Sequence, residues 1–155
     1  MSAVTLPRGQ ISTYFVADLA DKLPFPVGDN DKPTESHGWQ GEPNADASNY
    51  IPWCSLGAGT ATNSGGPQSA SQADWRLNYF VTTAGVARKQ TEAIADMARD
   101  YLAKTLRQKI LTTNGTWSIQ QVRVASIGGV NKVGSQPTYF VQTDTVEIWL
   151  SRELT

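Results

Sequence analysis

The chain carries one histidine and one cysteine, and neither is placed for chemistry. His37 lies in a Pro-, Gly- and Asp-rich stretch with Glu35 two residues before it, without a second histidine or a cysteine pair to complete a metal site. It reads as a solvated loop residue. A Ser-His-Asp triad would have to use the same His37. However, no serine sits in a Gly-x-Ser-x-Gly elbow, and Cys54-Ser55 follows Trp53 inside an apparent strand. Cys54 has no partner for an internal disulfide and reads as a buried thiol. Gly57-Ala58-Gly59 resembles the opening of a dinucleotide loop, but Thr62 stands at the third small position and a strand-like hairpin follows instead of a helix. Of the carboxylates that could pair for acid–base work, Asp96 and Asp100 fall on the polar side of a helix beside Arg99 and Lys104, as solvated charges do. Asp144 and Glu147 are the other two considered. No enzyme activity, metal or cofactor is expected.

Two recognition chemistries remain. Arg88, Lys89, Arg107, Lys109, Arg123 and Lys132 are scattered among acids without an aromatic ladder, which argues against specific nucleic-acid readout. Five tryptophans carry the other signal. Trp75 and Trp117 read as core or core-edge residues. Trp39 and Trp53 lie in or beside a loop-rich region, where large aromatics anchor subunit contacts or fold back onto their own domain.

The elements that position these residues centre on Ala73 to Arg107. Trp75, Leu77, Tyr79 and Val81 recur two apart, as on one face of a strand over 74–83. A turn at Ala84-Gly85 leads into a helix over 86–107, about 33 Å long at 1.5 Å per residue, whose apolar side carries Gln90, Ile94, Met97, Tyr101 and Thr105 with Ala87, Ala93, Ala98 and Leu102. An earlier helix over 9–22 carries a stripe of Ile11, Tyr14, Phe15, Asp18, Leu19 and Leu23 and is ended by Pro24. From 24 to 49 no regular element fits. A first strand begins at Tyr50, and the Asn63–Gln72 segment joins it to the second as a long-looped hairpin. Asn114-Gly115 turns the chain into a third strand over 117–127. A glycine-rich loop over 128–137 precedes a fourth strand over 138–150. There Tyr139, Val141 and Thr143 differ in parity from Val146, Ile148 and Leu150, so a bulge near Asp144 or a change of covered face is expected. The order α-β-β-α-β-β predicts an α+β domain with a four-stranded antiparallel sheet and two helices on one face.

The totals agree with one domain over 1–155. Net charge −1 removes a general nucleic-acid footprint, and charged residues at 17% fall below the roughly 25% of average domains, which suits extensive subunit contacts. No apolar run approaches the ~20 residues of a membrane span and no signal-peptide pattern opens the chain, so a soluble protein made in a reducing cytoplasm is expected.

Four blocks carry a family resemblance: Tyr50-Ile51-Pro52-Trp53-Cys54-Ser55-Leu56-Gly57, then Trp75 to Val81, Arg88 to Asp96, and Asp144 to Leu150. Together they resemble the tail terminator proteins of long-tailed bacteriophages. The departure is the 24–49 insertion, where family members are often shorter. The resemblance implies a structural virion protein at the head–tail junction, made in the bacterial cytoplasm. It would form a hexameric ring that caps the tail tube protein, ends its polymerisation and meets the head connector or head closure protein. DNA would pass through the lumen without specific binding. A ring needs heterologous contacts that close, for which the 24–49 arm and the 63–72 hairpin tip are the expected places. Trp39, Trp53, Gly65 and Pro67 are the candidate interface residues. The alternatives are another connector component, such as a head closure or tail completion protein, or a small ligand-binding domain with a pocket near Tyr79, Tyr101 and Gln90.

Overall fold

The structure, a computed structural model, describes residues 6–30, 52–63, 74–133 and 139–153. Helix α1 (Arg8–Lys22) forms where predicted and buries Ile11, Phe15 and Leu19, three residues spaced by one turn. Leu23 takes the extended conformation required before Pro24 and stops the helix. The chain then makes a short strand, β1 (Val27–Asp29), in a stretch expected to hold no regular element. Val27 and Phe25 are buried there, and three residues are too few for alternation to show in sequence.

The sheet is larger than the four antiparallel strands expected. It contains β2 (Trp53–Asn63), β3 (Asp74–Gly85), β4 (Lys109–Thr112), β5 (Gly115–Ser126), β6 (Asn131–Val133) and β7 (Tyr139–Arg152), with α2 (Arg88–Ala103) between β3 and β4. The order is β1-β2-β3-β7-β5-β4, and β6 also pairs with β7. The β1–β2 pair is parallel and the other pairs are antiparallel, so the sheet is mixed. The α+β class stands. The unforeseen strands are three or four residues long, and β4 lies just beyond the predicted helix end.

That helix is shorter than predicted at both ends. β3 continues through Ala84 and Gly85, and the Val86 N–H is accepted by the Gln90 side chain as the helix begins. At the other end Arg107 takes a left-handed φ of 72° and donates its N–H to the Ile119 carbonyl, which turns the chain into β4. The 16 residues of α2 span about 24 Å. Ile94, Ala98 and Leu102 are buried as expected, with Thr91 and Ala95 beside them. Gln90, Met97 and Tyr101 flank this stripe, and Ala87 and Ala93 are exposed.

Both helices cover one face of the sheet. Leu77, Tyr79 and Val81 of β3 pair with Ile148, Val146 and Asp144 of β7, and all six are buried on that face. Phe15 of α1 meets Tyr79 edge-on at 5.5 Å between ring centres. Side-chain bonds fix the helix in place: Ser12 Oγ lies 3.0 Å from the Tyr79 hydroxyl, and the Tyr14 hydroxyl donates to Gln108 Oε1. Gln10 closes the far end against the Thr113 backbone and side chain. The opposite face carries Arg76, Asn78 and Phe80 of β3 and Thr145, Glu147 and Trp149 of β7, in register with one another.

The core therefore depends on where a side chain sits, not on its type. Leu102→Ala should lower stability by about 2–5 kcal/mol in urea unfolding, whereas Leu111→Ala, at a position 82% exposed on β4, should stay within about 0.5 kcal/mol.

Candidate functional site

The groups weighed as chemical candidates are buried or engaged in the fold. Cys54 lies fully buried in β2, and desolvation raises its thiol to about 12, so it is protonated and inert at neutral pH. Tyr79 is equally enclosed, and burial pushes its phenol up to about 12 although the Ser12 hydrogen bond opposes the shift. Asp96 pairs with Arg99, Asp100 with Lys104 at 3.2 Å, and Glu147 with Arg123 at 3.5 Å. Gln90 accepts the Val86 N–H, and Tyr101 lies under the Lys104 ammonium at 5.0 Å. Two surface hollows are lined by other residues, one by Leu23 to Val27 with Ala20 and one beside Arg99 and Gln142. No group of three or more metal-ligating side chains occurs among the described residues. His37 lies outside them.

Asp144 holds a role that sequence reading missed. Its side chain is fully buried and accepts from Arg99 Nη1 at 2.5 Å, Gln142 Nε2 at 2.9 Å and the Gly128 N–H at 3.0 Å. Of the two arrangements expected in β7, the change of covered face occurs and the bulge does not: Tyr139 and Val141 pack with Trp53 on the face away from the helices, and Val146, Ile148 and Leu150 under them. The register of β7 with β3 is unbroken from Phe140 to Ser151, and Gln142 and Asp144 are simply polar residues on the same buried parity as Val146, Ile148 and Leu150. The irregularity sits on the other flank of β7, where β5 ends at Ser126 and β6 resumes at Asn131. Asp144 satisfies the Gly128 N–H in that gap. Gly128 packs so closely there that a Cβ would fall 2.2 Å from the Thr143 carbonyl oxygen. A hollow of about 320 Å³ opens above it, lined by Glu92, Asp96, Arg99, Ile127 and Gln142 among others.

Of the candidate interface residues, Trp39, Gly65 and Pro67 lie outside the described residues. Trp53 is 7% exposed and packs with Ala84, Val86, Tyr139 and Val141 in a small cluster on the face away from the helices. Within one chain it is a packing residue, which leaves little of it for a neighbour.

The surface that is free lies elsewhere. β4 covers the outer side of β5 only as far as Ser118, and Arg107 and Gln108 take up the backbone of Ile119. From Gln120 to Ser126 no strand among the described residues pairs with that side. Val124 at 38% and Ile127 at 60% exposure lie on the same edge. The unequal lengths of β4 and β5 would have revealed it, but β4, four residues long just beyond the predicted helix, shows no pattern in sequence.

No protein-family model matches the chain, and no curated protein matches its sequence. One solved structure, whose name states no function, aligns over 97% of this chain and 99% of its own at 9% identity and a TM-score of 0.49, a likeness too slight to bear on function. No helix among the described residues is long and apolar enough to cross a membrane.

Two outcomes follow. Asp144→Ala leaves the Arg99 guanidinium, 12% exposed, without its buried partner, and should cost about 3–5 kcal/mol in denaturant unfolding. The raised Cys54 and Tyr79 values also set an alkaline limit. The unfolded chain releases these protons near pH 9 and 10 while the folded chain holds them to about 12. Stability from this source is therefore complete below pH 9 and falls between pH 9 and 12, by up to about 1.4 kcal/mol per pH unit per group. Thermal melts across that range should fall, with a shallower slope in Cys54→Ala.

Proposed function

We propose that this chain is a structural virion protein of a long-tailed bacteriophage, a tail terminator. Six copies form a ring on the last ring of the tail tube, stop its growth and present the opposite surface to the head connector. The observation that supports this reading most is the arrangement of unpaired sheet edge. Among the described residues the β5 edge is unpaired near one end of the strand order, while the three-residue β1 lies at the other end. Edges at opposite ends favour head-to-tail contacts, the heterologous kind that closes into a ring when the rotation between copies permits.

The residues that carry the family resemblance lie largely in the frame of the sheet and α2. Trp75 to Val81 and Asp144 to Leu150 are adjacent paired strands, and Arg88 to Asp96 is the first half of the helix beside them. The enclosed Cys54 and Tyr79 leave little for an enzymatic reading to use.

Native mass across concentration, with negative-stain images, tests the proposal. The expected result is a six-membered ring, formed alone or on addition of the tail tube protein. A chain that stays monomeric at every concentration and never joins a tube would overturn it.

A further inference from the structure

We propose that Asn114-Gly115 is a site of self-modification, at which the Gly115 nitrogen displaces the side-chain amide of Asn114 and the Arg152 guanidinium favours the step. The product is aspartate or isoaspartate at position 114. This chemistry is independent of the ring.

The reacting groups are neighbours in the chain. Attack by a backbone nitrogen on the preceding asparagine's Cγ closes a five-membered ring, and a glycine in that place has no side chain to hinder the approach. Asn114-Gly115 is the one Asn-Gly step in the sequence. It lies in the turn between β4 and β5, where Thr112 and Gly115 are register partners and Gly115 takes a left-handed φ of 101°. The Thr112 hydroxyl holds both sides of the step, because it accepts the Asn114 N–H at 3.1 Å and donates to the Gly115 carbonyl at 2.8 Å. The turn is therefore fixed.

The fold adds a cation. Arg152, opposite Trp117 at the end of β7, lies so close against Gly115 that a Cβ there would fall 2.7 Å from Nε and 3.4 Å from Nη2. Its Nε is buried without a hydrogen-bond partner, and Arg152 forms no ion pair among the described residues. Attack requires the Gly115 nitrogen to give up its proton, and a cation within about 4–6 Å favours an anionic form by about 1–3 pKa units. The guanidinium is placed to stabilise that anion, and afterwards the carboxylate that replaces the amide.

The atoms balance without oxidation or reduction. A bond forms from the Gly115 nitrogen to Asn114 Cγ, the bond from Cγ to its amide nitrogen breaks, and that nitrogen leaves as ammonia with the proton from Gly115. Water then opens the ring. Opening at Cγ gives aspartate, whereas opening at the backbone carbonyl gives isoaspartate, in which the main chain is one carbon longer. The longer turn should loosen β4, which carries the buried Ile110 and is held by four register pairs.

Peptide mass mapping of the purified chain, sampled over time in mildly alkaline buffer, tests this, with enzymatic methylation of isoaspartate as a second readout. The unaltered native chain should convert at position 114 ahead of every other asparagine, and faster than the same chain unfolded in urea. Asn114→Gln should abolish the reaction. Among variants with an unchanged circular-dichroism spectrum, Arg152→Gln should slow the native step about tenfold or more, and Arg152→Lys should keep most of the rate. In urea Arg152→Gln should react like the unaltered chain.

A native chain that stays unmodified, or that converts first at another asparagine, would overturn the proposal. So would a native rate below that of the unfolded chain, a comparison that stands even if Arg152→Gln fails to fold. An Arg152→Gln rate equal to the unaltered one in the native state, or equally slowed in urea, would remove Arg152 from the step and overturn it as well.

Discussion

The interior of this domain is organised around a buried carboxylate. Asp144 has no exposed surface, and an ion in that position is tolerated only when its oxygens are met by donors. It meets three: a guanidinium from α2, an amide two residues along its own strand, and the backbone N–H of Gly128. These donors come from the helix layer, the central strand and the point where β5 gives way to β6. One side chain thus fixes the helix on the sheet and holds the break in the neighbouring strand. The break matters because an uninterrupted strand would pair with β7 from Gly115 to Val133. The gap instead places Ile127 at the surface beside a hollow that Arg99 and Glu92 line.

The same geometry explains why the sheet has one enclosed face and one unfinished edge. Apolar parity in β3 and β7 commits alternate residues to the helices, and the two helices cover that side. Nothing comparable governs the lateral direction. β4 contributes four residues against the twelve of β5, so more than half of β5 has no outer neighbour among the described residues. Hydrophobic burial completes the layers of a small domain, but it does not complete strand pairing, and an assembling protein can supply the missing pairing from another copy.

Much of this was legible in the sequence, and the omissions have separate physical causes. The period-two run Leu77, Tyr79, Val81 and the one-turn spacing of Ile11, Phe15 and Leu19 each gave the correct buried face. Strands of three or four residues gave no such pattern, so β1, β4 and β6 went unseen, and with them the parallel pair and the seven-stranded width. β7 was read only in part, for a different reason. The parity of its face runs through Gln142 and Asp144, polar residues that hydropathy assigns to the surface until their donors are located in three dimensions. The basic residues were read as scattered among acids, yet no Asp or Glu stands between Tyr101 and Thr143, where four of them lie.

That basic run bears on how an open edge stays soluble. An exposed strand edge pairs with any chain that offers a compatible edge, and natural sheets limit this with short edges, bulges and charge. All three occur here. The free run is Gln120–Ser126 only, its pairing with β7 shifts register between Ile119 and Gln121 and again between Val124 and Ser126, and its surroundings are basic without an acid nearby in sequence. Two identical basic edges repel, so self-pairing of edge with edge is disfavoured.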